Sequence, residues 1–396
     1  MITMRAAGRA EDSQKSICTA FFEAFPSVVS PVPELCAEEA IRQAMPSLRE
    51  ALEPGLRVLR QDGLYLAGNE GLDPSAIATA VKEAGILRVF GPSLYFFNGL
   101  RFEAVLVGNL AAGFTAIAFS LCNALAAELK DVATNAVPTL ITKAKESHVG
   151  SAASLDKKLL KIQELPSCVA MYFRKVGHVR EVAAALQGHL GLYQSQAELD
   201  GVPTVNKLLA RNGIVDLTTG AISVPTSLLP MSRVAGCSFD RKAKAPRFEA
   251  FLREVFPDEE TITYVQTVLG AYLRGKACRL QGALILQGAQ GAGGKTVFLN
   301  AIVGAFGSYG KLVPEQLAAL FILPPGATKR ADASGHDSAG ASFAGVRLAF
   351  IDELAEGSAF NEVGFKSVTG RGDADDSNFY EARAAYSSVA LTSSPP

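Results

Sequence analysis

Residues 283–299 read ALILQGAQGAGGKTVFL: an apolar strand, a run of glycines, Lys295-Thr296, and the start of an amphipathic helix. A chain that must hold a polyphosphate needs this order of parts. Glycines let backbone N–H groups turn inward around an anion, and a helix that starts there adds the positive end of its dipole. The loop would be Ala289, Gln290, Gly291, Ala292, Gly293 and Gly294, with the three glycines giving close backbone approach. In this reading Lys295 reaches the β/γ-phosphates, and the Thr296 hydroxyl ligates Mg²⁺. The spacing departs from the usual pattern at one place: Ala289 stands where the first glycine is expected, and Gly288 sits one residue early. A merely flexible glycine-rich turn ahead of a lysine is the blander alternative. The strand before, the helix after and the Lys-Thr pair together argue against it.

Nucleotide binding alone does not imply hydrolysis, which needs acidic residues at the end of a second buried strand. Residues 346–354, VRLAFIDEL, supply them. Asp352 is expected to hold the Mg²⁺ shell and Glu353 to orient the attacking water, in a catalysis made of positioning and charge stabilisation. A further apolar run, YSSVALTSS (386–394), offers Thr392 or Ser393 as a polar group near a γ-phosphate, although an edge strand running into a polar loop reads the same way.

Composition bounds the rest. The chain has 396 residues, 48% hydrophobic and 19% charged, so it can bury two or three cores. A net charge of −1 gives no global basic field, and any nucleic-acid contact must be local. The six cysteines show no C-x-x-C pair and the four histidines stand apart, so no zinc spacing exists and a reduced, intracellular setting is expected. No signal peptide opens the sequence: Arg5 and Arg9 are followed by Glu11 and Asp12. Residues 105–127 carry no charge over a length that spans a bilayer, but Asn109, Thr115, Ser120 and Asn123 interrupt them, so a buried helix is expected and no membrane partner.

Punctuation marks the elements. The Pro-rich PSVVSPVPELC separates two helices within residues 1–90. DPSAIATAVKEAG predicts a helix with Asp73 as cap, Pro74 at its first position and Gly85 as stop. LYFFNGLRF (94–102) predicts a hairpin about Asn98-Gly99, and 105–200 reads as mostly helical. NGIVDLTTGAISVP (212–225) predicts two short strands about a turn. RVAGCSFDRKAKAPR (233–247) reads as a basic connector, a solvated linker more readily than a phosphate clamp. RFEAFLREVF and ETITYVQTVLGAYLRG are helices leading to the glycine-rich segment.

Taken in order, several segments resemble the primase-helicases of phages, plasmids and poxviruses, whose motor is a superfamily 3 helicase. LARNGIVDLTTG (209–220) resembles the family's N-G-v-x-D-L-x-T-G block. PRFEAFLREVFPDEETITYVQTVLGAYLRG resembles its helical lead-in. LILQGAQGAGGKTVFLNAIVGAFGSYG resembles its P-loop and first helix. FAGVRLAFIDELAEGSAFNEVGFKSVTGRGD is similar to its acidic strand and following turn, and VALTSSPP to its closing strand. The likeness covers roughly three quarters of the chain, from residue 94 onward.

That resemblance implies an α/β architecture: a mostly helical N-terminal region followed by an AAA+-like P-loop NTPase domain with a parallel sheet. The divisions expected are an accessory region (1–90), a mainly helical domain (91–244) and the ATPase domain (245–396). It implies ATP and Mg²⁺ as cofactors, single-stranded or forked DNA as partner, a homo-hexameric ring, and a primase or replication-initiation partner. Ser393 takes the place of the family's Asn sensor, and Lys366 and Arg371 fall in the DNA-tracking segment, where they would contact phosphate. The family's arginine finger follows the closing strand, where this sequence stops. Such a finger contributes on the order of 10³–10⁵ in rate, so the resemblance also implies weak turnover by this chain alone. The other reading kept open is a degenerate module that binds nucleotide or DNA without unwinding. A small-molecule kinase is disfavoured by the tandem Asp-Glu, which suits attack by water.

Overall fold

A computed structural model describes residues 2–4, 35–62, 72–106, 108–195, 198–201, 204, 206–273, 284–288, 293–313, 322–323, 345–351, 358–361, 379–384 and 387–392. The chain mixes helices with small sheets and divides into two compact units, residues 34–194 and residues 1–33 with 195–396. Strand β1 (Ile2–Met4) belongs to the second of these.

The 34–194 unit begins with three short helices, α1 (Ala37–Gln43), α2 (Met45–Ala51) and α3 (Glu53–Asp62). Ile41, Met45, Leu48, Leu52, Leu56 and Leu59 recur at helical spacing and are all buried, so one apolar stripe runs through all three. The breaks fall where Pro46 and Pro54 enter a first turn and remove a backbone donor. Helix α4 (Pro74–Ala84) has the ends its sequence announces. The Asp73 side chain accepts from the Ala76 N–H at 2.7 Å, Pro74 opens the first turn, and Gly85 closes it in the left-handed region at φ 67°.

A four-stranded sheet follows, in the order β4-β3-β2-β5: β2 (Leu87–Phe90), β3 (Ser93–Phe97), β4 (Phe102–Ala104) and, much later, β5 (Tyr193–Gln194). The β3–β4 hairpin turns at Asn98, as the sequence reading expects. Asn98 is fully buried; its Oδ1 accepts from the N–H groups of Leu100 and Arg101, and its Nδ2 donates to Glu103. Strand β5 lies parallel to β2, a pairing across about a hundred residues that needs the intervening helices as its crossover.

Those helices are α5 (Leu110–Glu146), α6 (Ala152–Arg174) and α7 (Val176–Gly188). Helix α5 is long and apolar enough to cross a membrane by length and composition, a test that core helices also pass. Phe114, Ile117, Leu121, Leu125 and Leu129, three and four residues apart, are buried in the core that α5 shares with α1–α4, α6 and α7. Burial pushes the Cys122 thiol on the same face up to about 12.

The other unit carries an antiparallel sheet of β6 (Lys207–Ala210), β7 (Gly213–Asp216) and β8 (Ile222–Ser223), with β7–β8 forming the hairpin expected at 212–225. Helices α8 (Pro246–Val255) and α9 (Glu259–Leu273) lead to β9 (Leu286–Gly288). Helix α10 (Lys295–Phe306) and β10 (Gly310–Leu312) follow. Strand β9 pairs in parallel with β1, Ile2 opposite Leu286 and Met4 opposite Gly288. After β11 (Ile322–Leu323) comes β12 (Leu348–Phe350), parallel to β10, then β13 (Ala359–Phe360), antiparallel to β11. Strands β14 (Phe379–Ala384) and β15 (Ser387–Thr392) form an antiparallel hairpin.

Candidate nucleotide-binding site

Strand β9 ends at Gly288 and α10 starts at Lys295, so the glycine-rich segment joins a parallel strand to a helix, as the sequence reading expects. Of that segment the structure describes Gly293, Gly294, Lys295 and Thr296; Ala289, Gln290, Gly291 and Ala292 lie outside the described residues. Gly294 is the N-terminal cap residue of α10 and sits in the left-handed region at φ 76°. A methyl group there would lie 2.7 Å from Val255 Cγ1 and 3.3 Å from Phe251 Cε2. The end of α8 therefore fills the space under the glycine, and backbone conformation and packing both demand glycine. Phe298 N donates to Gly294 O at 2.9 Å, which closes the first turn of α10.

Lys295 and Thr296 are the first two residues of α10. Lys295 is half-buried and Thr296 exposed, while Val297 and Phe298 point inward. Helix α10 thus divides cleanly. Its inner face packs Val297 and Phe298 against Phe251, Leu252, Val255 and Phe256, with the Phe256 and Phe298 rings edge-to-face at 5.5 Å. Its first turn leaves an ammonium, a hydroxyl and the positive end of the helix dipole at one accessible place. Chemically this donor set suits a polyphosphate with a hard divalent cation.

The far end of α10 is held by the segment read as a connector, whose residues 233–237 run along the helix terminus. Gly236 N donates to Ala305 O at 3.0 Å, Ser308 N to Val234 O at 2.9 Å, and Val234 N to Ser308 Oγ at 2.6 Å. Gly236 and Gly307 face each other closely: a methyl on Gly236 would stand 1.7 Å from Gly304 O, and one on Gly307 2.4 Å from Gly236 N. Beside this strap Asp200, itself at φ 55°, accepts from Ser232 N and Ser232 Oγ, and from Arg233 N at 3.3 Å. Burial holds the Asp200 carboxyl above the ordinary carboxylate range, against the opposing pull of Ser232 and Arg233.

Arg347, the residue before β12, joins the same end. It donates to Leu273 O at 2.6 Å and to Lys207 O, and its guanidinium lies 4.4 Å from the centre of the Tyr309 ring. Tyr309 is buried, its hydroxyl accepts from Leu209 N at 3.2 Å, and burial pushes that hydroxyl up to about 12. The sequence reading singled out neither Arg347 nor Tyr309, nor Gly236 with Gly307; each acquires meaning only from a partner distant in sequence.

Strand β12 forms where VRLAFIDEL predicts it, and it runs parallel to β10. Asp352 and Glu353, the two residues after the described Ile351, lie outside the described residues, as do Lys366, Arg371 and Ser393. The β9–β1 and β10–β12 ladders are separate two-stranded sheets among the described residues. Among those residues no three His, Cys, Asp or Glu side chains gather as a metal site. No protein-family model and no curated protein matches this chain, so the site is interpreted from its own residues.

Proposed function

We propose that this chain is an ATP-dependent DNA motor of the superfamily 3 helicase kind, built on an AAA+-like P-loop domain. The observation that carries the proposal is the junction at Gly294: a parallel strand, a glycine-rich loop and a helix beginning on Lys295-Thr296. Anion binding at a helix N-terminus follows from the orientation of its unpaired N–H groups. Lys295 neutralises phosphate charge on one side, and Thr296 with Asp352 would hold Mg²⁺. The metal would draw electron density from the phosphate oxygens. Glu353 orients water for attack on the γ-phosphorus, and Ser393 offers a hydroxyl near it. Lys366 and Arg371 contact DNA phosphates in this reading, and a homo-hexamer is the assembly it implies.

Two features support the motor reading beyond binding. The strand that leads to the Asp352-Glu353 pair is parallel to the one that follows α10, as doubly wound nucleotide-binding sheets require. The ordered segments around it resemble the family throughout. Ala289 and Ser393 favour the alternative, a module that binds nucleotide or DNA without unwinding.

Titration of the purified chain with a fluorescent ATP analogue and Mg²⁺ tests the first step. Lys295→Ala should weaken binding about tenfold or more, since it removes a charge-assisted contact of roughly 1.5–3 kcal/mol. Unchanged binding in that variant overturns the nucleotide reading. Steady DNA-stimulated phosphate release that Glu353→Gln abolishes separates the motor from the non-hydrolysing module.

A further inference from the structure

The turn between α5 and α6 gathers charge that the sequence reading did not use. Lys143, Lys145, Lys157, Lys158 and Lys161 surround it against Glu146, Asp156 and Glu164, in a chain whose net charge is −1. All five lysines are exposed. Lys143 donates to Gln61 O, while Lys145, Lys157, Lys158 and Lys161 have no ion pair among the described residues.

Local energetics run uphill here. Lys157, Lys158 and Lys161 lie at i, i+1 and i+4, so like charges crowd one side of α6. They lie in the second and third turns of that helix, whose first turn holds no acidic residue and whose cap residue Ser151 makes no side-chain bond. No residue of α6 before Leu165 is buried, while Leu165, Val169, Ala170 and Phe173 enter the core; α5 beside it stays packed to its end, with Leu140 and Ala144 buried and Lys143 bonded to Gln61 O. The result is a packed helix pair with an exposed, lysine-rich end.

We infer that the tip of the α5–α6 helix pair is a nucleic-acid contact, binding DNA phosphates through Lys145, Lys157, Lys158 and Lys161. Exposed lysines without carboxylate partners are the chemistry that neutralises DNA phosphates. An anionic membrane is the competing polyanion. The tip exposes only Val149 and Leu160 as large apolar side chains, short of the continuous apolar face an interfacial helix requires. The choice of DNA rests on the motor reading above, but the lysine cluster belongs to the 34–194 unit and is tested apart from the nucleotide loop.

The test uses the full chain, a labelled 20-mer as single strand and as duplex, and fluorescence anisotropy between about 50 and 200 mM KCl, the range over which phosphate contacts are most salt-sensitive. The triple variant K157Q/K158Q/K161Q should reduce the slope of log affinity against log salt by about 2–3 on duplex. It should also weaken binding at 100 mM salt at least tenfold and leave binding of the ATP analogue unchanged. A control variant, K82Q/K130Q, should keep the wild-type slope. Circular dichroism establishes that each variant is folded, and the single K145Q provides a milder readout with a slope change near 1. An unchanged slope in the triple variant, no DNA binding by the wild-type chain at 50 mM salt, or loss of binding to phosphatidylserine vesicles without loss of DNA binding each overturns the inference. An unchanged slope with wild-type DNA binding and an intact Lys295 test defeats this inference alone, whereas absent DNA binding by the wild-type chain defeats the DNA motor as well.

Discussion

Replacing Gly294 by alanine adds a single methyl group, and the structure sets its cost. The residue sits at φ 76°, where an L-residue is disfavoured by about 1–2 kcal/mol. The new methyl would lie 2.7 Å from Val255 Cγ1 and 3.3 Å from Phe251 Cε2. Val255 has no exposed surface and Phe251 only 5%, so neither has room to retreat. Forced overpacking of that kind costs about 1–3 kcal/mol. Together the two effects amount to about 2–5 kcal/mol, a large share of the 5–15 kcal/mol that holds a typical domain. Urea unfolding followed by far-ultraviolet circular dichroism gives the number, since the chain has no tryptophan. The midpoint should fall with the slope unchanged. A double-mutant cycle separates the two causes. Val255→Ala alone costs about 2–3 kcal/mol as a buried cavity. In V255A/G294A the clash disappears and the backbone cost stays, so the pair should cost less than the sum by about 1–3 kcal/mol. A Gly294→Ala variant within 0.5 kcal/mol of wild type, or strict additivity of the two singles, refutes this account of the loop.

Arg347→Ala removes two charge-assisted bonds to backbone carbonyls and the guanidinium above Tyr309, and should destabilise the 195–396 region by about 2–4 kcal/mol. Arg347→Ala at wild-type stability in urea would show that those carbonyls find other donors. The buried His178 ring packs between Tyr172 and Phe173, its Nδ1 3.8 Å from a Glu181 oxygen. Burial lowers its pKa below the ordinary 6.5, and the Glu181 carboxylate opposes this only in part. The unfolded chain therefore takes up the proton first as pH falls. The stability contribution is complete above 6.5 and is lost as pH drops from there toward the folded value. Thermal melts at pH 7.5 and 5.5 should show a drop that His178→Leu reduces. An equal drop in that variant removes His178 as the cause.

Features written in neighbouring residues were legible from the sequence. Asp73, Pro74 and Gly85 delimit α4 because caps act within one turn, and Asn98 marks its hairpin because its side chain serves the next three residues. The strand, loop and helix around Lys295 are contiguous and were equally readable. Pairings between distant segments were not. Strand β5 joins β2, and β1 joins β9, through backbone ladders that leave little trace in a two- or three-residue strand. Residues 233–247 read as a connector because they are basic and contain a proline. Their first five residues are nonetheless ordered by backbone bonds to Ala305 and Ser308, which leave no pattern in the side chains. At the candidate site, the parts that sequence could name are the conspicuous ones, Lys295 and Thr296. Val255 and Phe251 beneath Gly294 look like ordinary apolar positions on α8 until the fold brings them there.

The Gly236–Gly307 approach has a mechanical consequence. With backbone against backbone at its rear and aromatic rings along its flank, α10 has no slack in which to slide or tilt. Whatever arrives at Lys295 meets an anvil. Amide exchange should accordingly remain slow from Val303 to Ser308 whether or not ligand is present.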